Sequence, residues 1–272
     1  CVTNDRARQA GRTGMGAVFG SKNLKAVAFR GTHPVEVAKP KEYRDLCLDL
    51  IKRANGPATT KYRDLGTPIN TLNFQKLGCL PTNNFKEGTF DNAVDISGET
   101  MAEKWVVKKT ACANCPIACD HLCLVKEGPY KDTIASVDFE SIFALGSCCG
   151  VSDMAAIIKA IDLCDRHTID TMSGGVCVAF GMECFENGLI TKEDTNGLDL
   201  RFGNAEAMVE FVDQICSRSS KAGDIIAEGS RRAAEKIGKN ASKYAMHSKG
   251  LELPGYHLSA LKTAAVGFAV SI

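Results

Sequence analysis

Three cysteines, in the run Cys112-Ala-Asn-Cys115-Pro-Ile-Ala-Cys119, constrain this chain more than any other feature. A loop of that spacing can turn three sulfurs towards a common point, and an iron–sulfur cluster needs four soft thiolates around it. Pro116, directly after the second cysteine, stiffens the loop. The local spacing provides three ligands of the four. A structural zinc completed by Cys123 or His121 is a second reading, and inert buried cysteines a third. A cluster is the favoured one.

The rest of the cysteine usage supports a metal rather than a disulfide framework. The chain has 13 cysteines, an odd number, in 272 residues. That is too large to need stapling, and no secretory leader precedes the first residue. A reducing, cytoplasmic interior is the expected setting. The chain begins with Cys1 and stops inside the apolar run Phe268–Ile272, so it reads as an internal piece of a longer protein. Lys+Arg 33 against Asp+Glu 32 gives no charge argument for a nucleic-acid partner. No apolar run approaches the roughly eighteen residues of a membrane helix, so no membrane span is expected.

Periodicity predicts a mainly helical body after a β-containing start. Leu24-Lys-Ala-Val-Ala-Phe29 alternates apolar and polar and predicts a short strand. Pro34 and Pro40 flank a linker. From Pro40 the period turns helical, with Tyr43, Leu46, Cys47, Leu50 and Ile51 on one face, until Gly56-Pro57. Residues 56–100 read as loop-heavy, with Gly78–Phe85 as their most distinctive part. Helices are predicted at 152–167, 174–187, 204–218 and 223–237, with Ser152 or Asp153 as a cap and Gly188 and Gly238 as terminators.

The start Gly11-Arg-Thr-Gly14-Met-Gly16-Ala-Val-Phe-Gly20-Ser-Lys22 invites a phosphate-binding reading, because glycines let the backbone approach an anion and Arg12, Lys22 and Lys25 can neutralise it. Its spacing is neither the dinucleotide fingerprint nor the nucleotide-triphosphate loop. A plain glycine-rich turn is the competing reading.

Taken in order, several stretches resemble the tungsten-dependent aldehyde:ferredoxin oxidoreductase family. They are Asn4–Ala26, Leu80-Pro-Thr-Asn-Asn-Phe85, Cys112–Cys119, Asp138-Phe-Glu-Ser141, Leu145-Gly-Ser-Cys-Cys-Gly150, Cys164–Ser173, Met182–Leu189 and Lys249-Gly-Leu-Glu-Leu-Pro254. The resemblance spans nearly the whole chain, whereas family members are about twice this length.

The resemblance implies a fold that is mainly α with a small β-containing N-terminal part, built from the family's multi-helix domains. It implies the end of a cofactor-binding domain at 1–34, a helical domain at 35–245 and the start of a C-terminal domain at 246–272. Cys112, Cys115 and Cys119 would be three ligands of a 4Fe–4S cluster, the fourth lying beyond the chain. Ala10, Gly11 and Arg12 would touch a tungsten bis-pterin (tungstopterin), with Mg2+ at the pterin phosphates as a further expected ion. The family's D-x-x-G-L-D motif reads Asp165-Arg-His-Thr-Ile-Asp170 here, so Asp165, Ile169 and Asp170 would hold one pterin, with Thr168 in place of the glycine. Glu140 matches the glutamate beside the tungsten and is the expected proton-transfer residue, in a cavity with Phe139 or Phe143 nearby.

The activity implied is oxidation of a small aldehyde to a carboxylic acid, with electrons passing through the cluster to ferredoxin. A benzoyl-coenzyme A reductase-type subunit and a non-catalytic zinc or cluster scaffold are the alternatives. Some members of the family are dimers; by position this chain shows no sign of the glutamate and histidine that bind a bridging iron in such dimers. Tyr256-His-Leu-Ser259 stands where the family commonly has Tyr-Asp-Pro-Arg, which points to a different substrate pocket. His167 and His257 read as surface or supporting groups. Cysteines 47, 79, 123, 148, 149, 164, 177, 184 and 216 read as buried small residues. Arg231-Arg232 reads as a solvated helix face, with docking of an acidic electron carrier as its functional alternative.

Overall fold

Two short strands, β1 (Val2–Asn4) and β2 (Arg8–Ala10), open the chain as an antiparallel ladder with Val2 opposite Ala10. They belong to a computed structural model that describes residues 1–4 and 8–270. Helix α1 (Met15–Ser21) follows. The strand predicted over 24–29 does not form: residues 22–37 are exposed and irregular, Phe29 is 91% exposed, and no described strand lies alongside. Alternation makes a strand only where a neighbour completes the ladder and a core takes the apolar side.

Helix α2 (Pro40–Ala54) forms where the period predicts it, with Pro40 in its first turn and Lys52 and Arg53 in its last. None of its residues is buried. The loops expected over 56–100 are corrected in part to α3 (Pro57–Leu65), a 3-10 turn at Thr67–Ile69, α4 (Asn70–Lys76) and α5 (Gly98–Lys104). Each is too short to display a helical period in sequence. Ser97 starts α5 by accepting a hydrogen bond from the Thr100 N–H at 3.2 Å.

A second sheet interrupts the stretch expected to be helical. Strands β3 (Val106–Thr110), β4 (Asp120–Leu124) and β5 (Ile134–Val137) pair antiparallel in that order. On β4, His121 and Cys123 are fully buried and their neighbours half-buried. The cysteine loop is the β3–β4 connection. The mainly helical class stands, with β structure inside the helical body as well as at its start.

Helices α6 (Phe139–Leu145), α7 (Met154–Arg166), α8 (Thr171–Glu186) and α9 (Ala205–Ser217) form the core. Asp153, one of the two expected caps, starts α7 by accepting from the Ala155 and Ala156 N–H groups. The single helix predicted over 223–237 is two, α10 (Lys221–Ile226) and α11 (Ser230–Ile237), separated at Gly229. Gly188 and Gly238, both in the left-handed region, lie just past the ends of α8 and α11 as expected. Helix α8 is buried at every position from Gly174 to Cys184, which makes it the central element.

Backbone proximity at Gly175 ties α8 to α6: a Cβ there would lie 2.5 Å from the Ala144 carbonyl carbon. The loop 80–85 docks alongside, with Asn83 and Asn84 donating to the Ser147 and Cys148 carbonyls at 3.0 and 2.8 Å. Strands β6 (His247–Ser248) and β7 (Leu251–Glu252) and helix α12 (Lys262–Val270) complete the chain. No single helix among the described residues is long and apolar enough to cross a membrane. All 13 cysteines are free; of the nine read as buried, Cys47 and Cys216 are half-buried instead. Cys47 lies on α2, which the fold leaves against solvent.

Candidate active site

Segments far apart in sequence line one cleft of about 520 Å³. Ala10, Gly11 and Arg12, Asp165, Ile169 and Asp170, and Glu140 all line it, and the first two segments lie in contact, a Cβ at Gly11 falling 3.5 Å from Asp170 Oδ1. Gln9 joins the same two segments, donating from Nε2 to Asp165 Oδ1 at 2.6 Å across 156 residues of sequence. The Cys1 nitrogen also reaches the Thr168 carbonyl, at 2.7 Å.

The Asp165–Asp170 segment is the bend between α7 and α8. Asp165 lies in the last turn of α7, and Asp170 caps α8 by accepting from the Ser173 N–H at 2.9 Å. Thr168 has φ 55°, the left-handed conformation that glycine adopts freely. The bend therefore carries a cost of about 1–2 kcal/mol at Thr168 that a glycine would not. Burial pushes the Asp165 carboxyl up to about 6, against the Gln9 hydrogen bond that lowers it.

Arg12 reaches past Asp170, 3.9 Å from its Nε, and donates from Nη2 to the Glu252 carbonyl at 2.5 Å. Its Nε is buried without a hydrogen-bond partner, and so is Gln9 Oε1. Such orphaned groups are rare in folded proteins, and both belong to residues lining the cleft. A polar heterocycle with its own donors and acceptors fits this wall.

Glu140 sits in the first turn of α6, after Asp138 has capped it through the Ser141 N–H at 2.9 Å. Ser141 and Thr171 hydroxyls, 2.9 Å apart, tie that turn to the start of α8. Glu140 Oε2 accepts the Gly255 N–H at 2.9 Å, and Tyr256 lines the same cavity as this carboxylate. Gly255 lies against Phe139 and Phe143, the apolar neighbours expected beside the glutamate. Burial raises the Glu140 pKa, opposed by the Gly255 hydrogen bond. The Tyr256 phenol is pushed up to about 12, by burial first and then by the Glu140 charge.

Glu140 also opens onto a second cavity of about 220 Å³, shared with Arg8, Asp120, Tyr256 and Cys119. The cysteine loop thus approaches the cleft through the Glu140 helix. Cys112 is exposed and Cys115 and Cys119 half-buried; the Cys115 N–H donates to the Cys112 carbonyl at 3.0 Å. Among the described residues no three His, Cys, Asp or Glu side chains form a group that could hold a metal ion, so the expected convergence of the three sulfurs is not seen. The physical reason is local: protonated thiols carry no charge and, without a metal, have nothing to draw them together. The donor chemistry nevertheless suits a thiolate-bound cluster.

The two side chains named as a fourth zinc ligand both lie inside the fold, with His121 Nδ1 lacking a hydrogen-bond partner. The Cys123 thiol is buried and pushed up to about 12, and His121 is buried, with Nε2 3.3 Å from the Arg63 carbonyl. His257 braces Phe85, its Nε2 2.9 Å from that carbonyl, and His167 is exposed at the end of α7. Arg231 and Arg232 are paired with Glu235 and Glu228. Sequence reasoning missed Arg8, Gln9, Asp138 and the role of Tyr256. Arg8 and Gln9 stand just before the glycine-rich motif, and that proximity was the only available signal.

Two family models match this chain. One described as aldehyde ferredoxin oxidoreductase, domains 2 and 3, covers residues 47–272, and one for the N-terminal domain covers residues 1–31. A tungsten-containing aldehyde ferredoxin oxidoreductase of Pyrococcus abyssi is 37% identical over 278 residues, covering 99% of this chain and 44% of the relative. That of Thermococcus kodakarensis is 34% identical over 276 residues, with the same coverage. An aliphatic sulfonate oxidoreductase, WOR-like subunit, of Pyrococcus furiosus is 32% identical over 97% of this chain and 43% of its own length. The chain therefore spans less than half of these relatives. Among solved structures, the active site complex BamBC of benzoyl coenzyme A reductase with 1,5-dienoyl-CoA superposes with a TM-score of 0.70 at 27% identity, covering 90% of this chain and 38% of the other.

Proposed function

Because this chain belongs to the aldehyde ferredoxin oxidoreductase family, we propose that its protein oxidises a small aldehyde to a carboxylic acid and passes the electrons to ferredoxin or a similar carrier. The observation that carries this is the cleft in which Ala10–Arg12, Glu140 and Asp165–Asp170 meet, with Gln9 Oε1 and Arg12 Nε buried and without hydrogen-bond partners.

In this reading Ala10, Gly11 and Arg12 together with Asp165, Ile169 and Asp170 hold a tungstopterin, the aspartates accepting from pterin N–H groups. Cys112, Cys115 and Cys119 hold three corners of a 4Fe–4S cluster. When bound, the tungstopterin supplies two-electron oxidation and the cluster a one-electron relay. Aldehyde and water give a carboxylic acid, two protons and two electrons.

The chain's own contribution is position and proton transfer. The Gly255 N–H holds the Glu140 carboxylate and burial raises its pKa, which suits a group that takes a proton as water adds to the carbonyl carbon. Phe139 and Phe143 limit solvent on that side.

Ring reduction of an aromatic coenzyme A thioester is the second reading, favoured by the fold likeness at TM-score 0.70. The higher identity to the aldehyde-oxidising relatives, 37% against 27%, ranks it below the first. The test is metal analysis of the whole protein purified anaerobically, with aldehyde-dependent dye reduction. Tungsten and iron together with turnover support the proposal; zinc alone, or tungsten with no aldehyde turnover, sinks it. Glu140→Gln keeps the shape and removes the base, so turnover falls by about 100- to 10,000-fold with both metals retained.

A further inference from the structure

We propose that the Arg8–Asp120 ion pair is a positioning device that sets the reduction potential of the cluster held by the cysteine loop, and so couples that loop to the cleft. The inference rests on the proposed cluster at Cys112, Cys115 and Cys119.

The geometry singles out Arg8. It is the strand residue of β2 that lines both the large cleft and the smaller cavity containing Cys119. Its guanidinium pairs with Asp120 and lies 3.4 Å from the Ser136 hydroxyl. Asp120 follows Cys119 directly and opens β4. Its carboxylate also accepts from the hydroxyls of Thr110 and Ser136, on the two flanking strands β3 and β5. Three donors therefore fix the carboxylate, and the carboxylate fixes the arginine between the thiols and the cleft. The burden of holding the cation falls on the sheet that carries the cysteine loop, so loop and charge are positioned by the same strands.

The consequence is electrostatic. One-electron reduction adds one negative charge to the cluster and needs no proton. A fixed cation nearby stabilises the reduced form, and a fixed anion destabilises it. Arg8 and Asp120 therefore act with opposite signs, and the potential reflects their balance. Removing one full charge this close to a cluster changes the reduction equilibrium by about tenfold, which is 59 mV for one electron.

The test is a redox titration of the whole protein with dithionite, followed by the electron paramagnetic resonance signal of the reduced cluster, with iron content measured alongside. Arg8→Gln should lower the midpoint by about 59 mV and Asp120→Asn should raise it by a similar amount. Arg8→Lys keeps the charge without the planar fork, and its midpoint should stay near the parent's. Opposite shifts in the first two variants with Arg8→Lys unmoved support the proposal, because repacking alone does not invert sign with charge. Shifts in one direction for both, no shift in either, or an Arg8→Lys shift as large as that of Arg8→Gln overturn it. If Arg8→Gln loses its iron, Asp120→Asn and Arg8→Lys decide by the same criteria. A parent protein without any cluster signal refutes the cluster reading itself, an outcome distinct from a cluster whose potential ignores the pair.

Discussion

Gly175 and Gly174 are adjacent on α8 and should respond to alanine with opposite signs. A Cβ at Gly175 would lie 2.5, 2.6 and 2.7 Å from the carbonyl carbon, oxygen and Cβ of Ala144. That is about 1 Å inside the roughly 3.5 Å of an ordinary carbon contact. The obstacle is chiefly backbone, so no rotamer change relieves it and α6 must move away from α8. Overpacking of this kind costs about 1–3 kcal/mol, and here the upper end applies. Alanine's better helix propensity returns up to about 1 kcal/mol, leaving a net loss near 2 kcal/mol.

A Cβ at Gly174 meets only Ile169 Cγ2 at 3.4 Å and Cys164 Sγ at 3.6 Å, ordinary contacts. Gly174→Ala should therefore gain up to about 1 kcal/mol. Thermal unfolding followed by circular dichroism reads both. At about 2–4 °C per kcal/mol for a unit of this size, Gly175→Ala should melt roughly 4–8 °C below the parent and Gly174→Ala roughly 2–4 °C above it. Because α6 carries Glu140, Gly175→Ala should also lose turnover, whereas the stabilised variant keeps it. Both variants moving in the same direction, or Gly175→Ala melting within about 1 °C of the parent, would refute the backbone-contact argument.

Asp165 provides a pH signature in protein prepared without cofactor. Its folded pKa, about 6 against an ordinary 3.8, means the folded state binds more protons between those values. Stability from this group falls as pH rises through that window, so Asp165→Asn should exceed the parent by about 1–2 kcal/mol at pH 7 after solvent screening and match it below about pH 4. Equal stability of the two proteins at pH 7 would contradict this assignment. The cysteines separate by role: serine at Cys112, Cys115 or Cys119 should remove iron with little change in the core. Cys123→Ser should keep the iron and lower the melting temperature, since it places a hydroxyl in a fully buried position on β4. Iron loss from Cys123→Ser alone would reverse the two roles.

The sequence alone determined whatever depends on local chemistry. The helical period from Pro40, the Asp153 cap and the glycine stops at 188 and 238 are settled within one or two turns of chain, and the structure has them in place. The residue types for the candidate site were also legible: three thiols in one loop, two aspartates flanking a bend, and a glutamate behind a capping aspartate. Local pattern failed where an element needs a distant partner. Leu24–Phe29 alternates without a neighbouring strand and stays irregular, while β3, β4 and β5 pair despite weak periodicity because each completes another's ladder. Only the tertiary structure decided that Gln9 meets Asp165, that Gly255 holds Glu140, and that Arg8 reaches Asp120. These contacts join residues more than a hundred positions apart. Their energy comes from burial and hydrogen bonding that exist only once the core has closed, so neither spacing nor propensity along the chain could reveal them.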